Sequence, residues 1–433
     1  MMHSKREEFS RGWRVLVAAA MGSGVGVAPL AFYSLGAFIK PLTSEFGWTR
    51  AQVTGASLAL SLGMLVMGSL IGALADRIGA RRVVLVSMPM LALLLAALSL
   101  VTPNVLSLYV GYFALGALGA GTLPITWSRV ITGWFVRSRG LALGLSLVGT
   151  GIVGMLLPSY VTWLVGLAGW RAAYLGLAAL PLLVGMPLTL VYFHEPPEDL
   201  VSIARRANAT SVAAADTPSG WGYSLREAAA SWRFWRMSGA FLLAAVVIGA
   251  INVNALPLLT DRGIERRTAA AVVGLIGATV TVGRLISGYF LDLFHGPRVA
   301  FVMLGAPALA CIILSASGTN LPLSAVAIIL IGFAAGAEHD IAAYFTARYF
   351  GRRHYGAIYG LLYTLYTFGS GIGPPLAGWA FDATGSYETA LYAGAALFLI
   401  AAALVGTLGA YPRESQPQSL QPRTRPREGP ARP

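Results

Sequence analysis

Apolar residues in this chain fall into long runs rather than into the alternating or helical-period stripes of a soluble domain, and polar or glycine-rich breaks recur at intervals of about 20 to 30 residues. The runs predict helices near 14–40, 52–74, 82–101, 105–133, 139–165, 170–192, 236–260, 268–291, 298–317, 321–347, 355–380 and 387–410. Each is long enough to cross the hydrocarbon of a bilayer, which needs roughly 20 residues of helix. The pattern therefore predicts twelve membrane-spanning helices. Two stretches break it: 194–235, rich in Pro, Ser and Ala, reads as an inter-domain linker, and 411–433, with repeated Pro and Arg, as a disordered basic tail. The first six helices (1–193) and the last six (236–410) are then two bundles.

Composition agrees with this reading. Hydrophobic residues make up 56% of the 433 and charged residues only 11%, with 51 glycines and 23 prolines. The net charge of +13 resembles a nucleic-acid footprint until its distribution is considered. With the N-terminus inside, 23 of the 31 Lys and Arg fall in cytoplasmic segments, six fall outside, and Arg129 and Arg284 lie within helices. The positive-inside bias puts both termini in the cytoplasm, so a multi-pass inner (plasma) membrane protein is expected, with the lipid bilayer and not nucleic acid as its surroundings. The basic start is followed by a run too long for a signal-peptide core and is read as the first helix. Cys311 is the single cysteine and lies in an apolar run, which excludes a disulfide framework and a thiol metal cluster. No phosphate loop, HExxH or nucleophile elbow is present, so an enzyme is not expected, and neither is a cofactor or metal.

The two halves repeat at a constant offset of 216 residues. Pro41 and Gly47 match Pro257 and Gly263; Gly72, Asp76 and Arg82 match Gly288, Asp292 and Arg298; Gly140, Gly144, Pro158 and Gly169 match Gly356, Gly360, Pro374 and Gly385. Duplicated bundles are a hallmark of secondary transporters.

At these residues the chain resembles the major facilitator superfamily. "GALADRIGARR" (Gly72–Arg82) is similar to its loop motif between helices two and three, "GYFLDLFHGPR" (Gly288–Arg298) to the degenerate copy between helices eight and nine, and "GLSLVGTGIVGMLLP" (Gly144–Pro158) to its fifth helix. The resemblance implies an all-α fold of two pseudo-symmetric six-helix bundles rocking about a central cavity. Asp76, Arg77, Asp292 and Arg298 sit where helices leave the lipid, and are assigned to gating, with a carboxylate taking hydrogen bonds from a neighbouring helix N-terminus.

Residues that break the repeat are candidates for substrate chemistry. Arg284 maps to Gly68, Glu338 to Thr122 and Asp340 to Pro124. A charge inside a span is costly unless it meets water or a partner, which makes each a functional candidate. Arg284 and Glu338 stand at nearly equal depth in helices eight and ten, and Glu338 is expected to be the partner of Arg284. Asp340, some 200° around the helix from it, is expected to turn toward packing neighbours. The alternative for the Arg284–Glu338 pair is a purely structural ion pair. The stretch "TVGRLISGYFLD" (Thr281–Asp292) also resembles the eighth helix of the monocarboxylate transporter and oxalate/formate antiporter branch, which implies that Arg284 engages an anionic substrate. Leu365 and Tyr366 stand where the oxalate exchangers have a lysine, and Val280 where animal monocarboxylate carriers have an aspartate. One arginine suits a monocarboxylate or a larger acid with an apolar body.

Tyr363 and Tyr366, with Tyr359, share one face of helix eleven, and Tyr33 and Asn254, with Asn252, are further polar candidates for the cavity. His339 is read as a histidine held within the bundle, and Arg129 and Trp127 as lying near the cytoplasmic end of helix four. Glu338, with Asp340, is the candidate for proton coupling. The function expected is secondary active transport of small organic anions, by proton-coupled carboxylate symport, in a monomer. The alternatives are exchange without protons, multidrug or metabolite efflux by proton antiport, and a membrane organic-acid sensor.

Overall fold

The structure is a computed structural model and describes residues 5–135, 138–196, 222–351 and 353–412. Among the described residues it is helical throughout, and the sole β contact is an isolated bridge between Gly222 and Gly351. Twelve spans follow the hydropathy pattern. Ten stretches are apolar enough to be recognised as membrane candidates by composition, one of them, Leu141–Tyr192, being long enough for two crossings. Its helix, Arg139–Leu180, is divided at Gly169, where φ is 81°, and the chain continues through Pro181–Gly185 and Met186–Tyr192. The remaining span, the eleventh (Tyr355–Thr384), is absent from the apolar set because tyrosines, threonines and glycines replace aliphatic residues along it.

Two spans expected as single helices are broken in mid-membrane. The first consists of Lys5–Gly24 and Val27–Phe46, and the fourth of Val105–Leu118, the 3-10 turn Gly119–Thr122 and Pro124–Trp134. Irregular backbone survives in lipid only where protein satisfies it. Here the two breaks satisfy each other: the Val27 N–H donates to Thr122 Oγ1 at 2.9 Å. Glycines at 22, 24 and 26 and the proline at the start of the second fourth-span segment supply the local cause. The seventh span, Trp232–Asp261, begins inside the stretch read as linker and is preceded by a short helix, Leu225–Ala230, whose start is capped by a Ser224/Glu227 capping box. The linker segment 197–221 and the tail from 413 lie outside the described residues.

The halves are joined along two antiparallel pairs of spans, the second (Arg50–Thr54 and Ala56–Ile78) with the eleventh and the fifth with the eighth (Arg266–Leu293), and also where Gly36 of the first span packs on Val253 of the seventh. A side chain at Gly371 would strike Ser61, and one at Gly151 would strike Thr281. Eleven residues along the first pair and seven along the second, three and two whole turns, bring Gly72 level with Gly360 and Gly144 level with Gly288 on the same helix faces. A Cβ at any of these four would meet nothing within 4 Å. The halves therefore touch at the face opposite the chain termini and splay apart toward the face that carries them.

Candidate functional site

Arg284 lies one turn beyond Thr281, where the eighth span still touches the fifth, and one turn before Gly288, where contact is lost. It thus stands at the apex of the cleft between the halves. Its backbone is pinned by close helix packing: a Cβ on Gly336 of the tenth span (Leu321–Phe350) would come within 3.0 Å of the Arg284 nitrogen and 2.9 Å of the Val280 carbonyl carbon. The side chain is half-buried, its Nε has no hydrogen-bond partner, and no ion pair to it forms among the described residues.

The Arg284 charge reaches Tyr33 of the first span, His339 and Asp340 of the tenth, and Tyr359, Tyr363 and Tyr366 of the eleventh. Tyr33 comes from the opposite half, with its ring against Gly154. Tyr363 and Tyr366 stack at 6.0 Å between centroids, and the His339 ring meets Tyr366 edge-on at 4.4 Å. The surroundings of Arg284 are therefore a single fixed cation, one carboxyl group and a bank of aromatic rings with hydroxyls, drawn from both halves.

The expected pairing of Arg284 with Glu338 does not form. Glu338 is fully buried, and neither carboxylate oxygen has a partner. Asp340 is the acid that faces Arg284, beside Ser287. The reason is rotational. Gly332 and Gly336 carry the close contact with the eighth span, and Asp340 is the next residue at that four-residue spacing, so it shares their face. Glu338 points elsewhere, with its charge felt at Tyr366. In the sequence, the Gly-xxx-Gly-xxx-Asp spacing is the signal that distinguishes the two acids.

Asn254 is not at the cleft apex. Its Nδ2 donates to the carbonyls of Ala250 at 2.9 Å and Pro374 at 3.2 Å, and its Oδ1 accepts from the Tyr387 hydroxyl at 3.2 Å, so its bonding capacity is used within the fold. Asn252 keeps a buried Oδ1 without a partner. Trp127 is buried and donates to the Thr122 carbonyl, bracing the break in its own span. Of the gating candidates, Arg77 and Arg298 are exposed at the open face, and the side chains of Asp76 and Asp292 lie outside the described residues.

Charged residues that the sequence presented only as outer-loop charges close the opposite face. Lys40 pairs with Asp261 at 2.7 Å, and the Arg50 guanidinium bonds Asp261 and, at 2.9 Å, the Tyr387 hydroxyl. The Arg50 and Ala51 N–H groups donate to the Asp382 carboxylate at 2.9 and 2.8 Å, and Arg50 lies 3.5 Å over the Phe381 ring. Arg266 donates to the Ala37 carbonyl at 3.0 Å. All of these bonds cross between the halves.

Two splayed helical halves around a central polar site, closed at one membrane face and parted at the other, are the architecture of a secondary transporter. The chain belongs to the Major Facilitator Superfamily, whose family profile matches residues 21–339 and again 260–433. Among curated relatives, it is similar to monocarboxylate transporter 13 of Bos taurus, 27% identical over 400 residues, covering 90% of this chain and 87% of that one. It is also similar to the gallate transporter of Pseudomonas putida, 26% identical over 376 residues, covering 78% of this chain and 82% of that one. In fold it matches the crystal structure of a bacterial homolog of the human lysosomal transporter Spinster in an inward-facing and occupied conformation. That match has a TM-score of 0.69 at 17% identity, over 94% of this chain and 97% of the other.

Proposed function

We propose that this transporter carries small monocarboxylates with protons by alternating access, and that Arg284 holds the carboxylate. The observation that carries the reading is a guanidinium at the apex of the cleft with a buried, unpartnered Nε and no acid paired to it. A planar fork of donors in that position suits a carboxylate taken bidentately, and each charge-assisted bond contributes about 1.5–3 kcal/mol. The rings of Tyr33, Tyr363, Tyr366 and His339 offer the substrate's body an apolar wall that belongs to both halves. Relatives named for monocarboxylates and for gallate, an aromatic acid, support the same substrate class.

Proton coupling rests on the tenth span. Asp340 lies beside Arg284 and competes with an incoming anion for it. When substrate takes the guanidinium, Asp340 loses its counter-charge and gains reason to bind a proton. Glu338, on the same span and buried with both oxygens unpartnered, is the second carboxyl available to carry the proton. The distribution of Lys and Arg supports cytoplasmic termini in an inner membrane protein, and on that reading the described state is the inward-facing one. A monomer suffices, since the site is built within one chain.

The test is uptake of a panel of radiolabelled mono- and dicarboxylates into proteoliposomes, with and without an inward proton gradient. Native protein is expected to take up one or more monocarboxylates with gradient stimulation. Arg284→Ala is expected to lose uptake by about 100-fold or more, from the loss of two charge-assisted bonds. Glu338→Gln and Asp340→Asn are expected to retain substrate exchange while the gradient effect falls. Uptake indifferent to Arg284→Ala in folded protein would sink the anion site and favour efflux of uncharged amphipathic compounds instead.

A further inference from the structure

The internal repeat gives each residue of one half a counterpart in the other, and at the closed face one such comparison fails to match. Glu45 and Asp261 are counterparts, since 261 − 45 = 216, and both carry a carboxylate at the end of an equivalent span. Glu45 is neutralised within its own half: Arg171 pairs with it at 2.7 Å, and the Trp170 Nε1–H donates to it at 2.5 Å. Both partners directly follow Gly169, and its counterpart Gly385 likewise takes a positive φ, 81° and 74° respectively. The counterpart of Arg171 is Tyr387, a neutral phenol.

Asp261 is therefore left without the cation that its twin enjoys. The neighbouring Arg262 does not supply one, because its guanidinium is spent on Ser317 and the carbonyls of Leu314 and Ser315. The cations that do reach Asp261 are Lys40 and Arg50, both from the opposite half. Tyr387, instead of neutralising Asp261, holds Arg50 by its hydroxyl and is itself oriented by Asn254. Asp382 repeats the asymmetry: it caps the start of the second span across the interface, and its counterpart in the first half is Gly166.

We propose that replacement of an in-half arginine by Tyr387 converts a structural ion pair into a latch between the halves, with Asp261 stranded whenever this face opens. Lys40, Arg50 and the N-terminus of the second span are the donating side of the latch, and Asp261, Asp382 and Tyr387 are the accepting side. Opening separates every donor from its acceptor and leaves Glu45 and Arg171 undisturbed. The latch thereby biases the transporter toward the state closed at this face, without any contact to substrate. This inference rests on the alternation of access, and not on the anion site.

The test reads the distance across this face in the detergent-solubilised full chain without substrate. Spin labels are placed at the exposed positions Ser44→Cys and Thr389→Cys, one in each half, in a Cys311→Ser background that removes the sole native cysteine. Tyr387→Arg restores an in-half cation to Asp261 and places it against Arg50. The ratio of long to short distances is expected to rise about fivefold or more, the scale of ordinary coupling between two states. Arg171→Tyr, which removes the equivalent pair from the first half, is expected to leave the ratio unchanged. The swap of Arg50→Asp with Asp261→Arg tests the pairing without relying on position 387: either single variant is expected to raise the ratio, and the double variant to lower it again. A ratio unmoved by Tyr387→Arg in folded protein, an equal response to Arg171→Tyr, or a double swap no more closed than its single parents would each overturn the latch.

Discussion

The packing of the tenth span against the eighth fixes where Asp340 and Arg284 stand, and Gly336→Ala perturbs that packing by one methyl group. A Cβ at Gly336 would lie 2.9 Å from the Val280 carbonyl carbon and 3.0 Å from the Arg284 nitrogen, with the Val280 carbonyl oxygen closer still. These are backbone atoms in the middle of a helix and cannot rotate aside. Carbon atoms in contact settle at about 3.5–4.0 Å, so the tenth span must retreat by roughly 0.6 Å or more. Overpacking of this kind costs about 1–3 kcal/mol. A displacement approaching 1 Å in a positioning element lowers reactivity by up to about 100-fold in enzymes, and a fall of about tenfold in the uptake ratio kcat/KM is expected here. Gly166→Ala provides the comparison, because that glycine is exposed, helical and meets nothing within 4 Å. The two variants are to be compared by thermal unfolding in detergent and by uptake of the carboxylate identified with native protein in the uptake panel. Gly166→Ala is expected to match native protein or gain slightly from helix propensity. Native stability and native uptake in Gly336→Ala would refute the claim that this glycine sets the register of Asp340 against Arg284.

Asn254→Ala removes the acceptor of the buried Tyr387 hydroxyl, which keeps only its bond from Arg50, and is expected to cost about 1–3 kcal/mol, read as a lower unfolding temperature. Gly288→Val adds bulk where nothing lies within 4 Å, so the unfolding temperature of the solubilised protein is expected to stay near native while the rate of uptake falls, as the fifth span must close on this position at Gly144.

The hydropathy pattern made the spans legible because lipid imposes length and apolarity on a crossing, although the eleventh, rich in Tyr, Thr and Gly, is less apolar than the rest. It could not reveal the breaks in the first and fourth spans, since a broken helix whose ends satisfy each other is as apolar as an intact one. The cue lay in local chemistry, in the glycines preceding Val27 and in Pro124. At the site, Arg284 was conspicuous because a lone charge in a span needs a purpose. Its acidic neighbour was misassigned because two residues of a helix that differ little in depth can face opposite ways, and only the glycines packed on the eighth span fixed the azimuth of Asp340. The closing residues Lys40, Arg50, Asp261 and Asp382 stayed hidden because charges at span ends serve topology in every membrane protein, and a pair that joins distant loops has no local signature.

The repeat also explains why one sequence can serve two arrangements. Antiparallel contact between the second and eleventh spans, and between the fifth and eighth, keeps a constant register along each pair, so closure of the parted face brings Gly72 to Gly360 and Gly144 to Gly288. Those four glycines have no packing role in the described state, where a Cβ would touch nothing. Their small size is useful only to the opposite state, in which backbones must approach closely. The opposite face is held both by close helix packing, at Gly36, Gly371 and Gly378, and by charges that lose their partners on separation. The closed face thus adds ion pairs to the kind of helix contact that the parted face lacks in this state. Between them stands Arg284, at the level where contact gives way to cleft, with Tyr33 reaching it from the first half and Asp340, Tyr363 and Tyr366 from the second. On the proposed function, an anion bound there would touch both halves, and its binding energy would then be available to the change of state that neither closure produces alone.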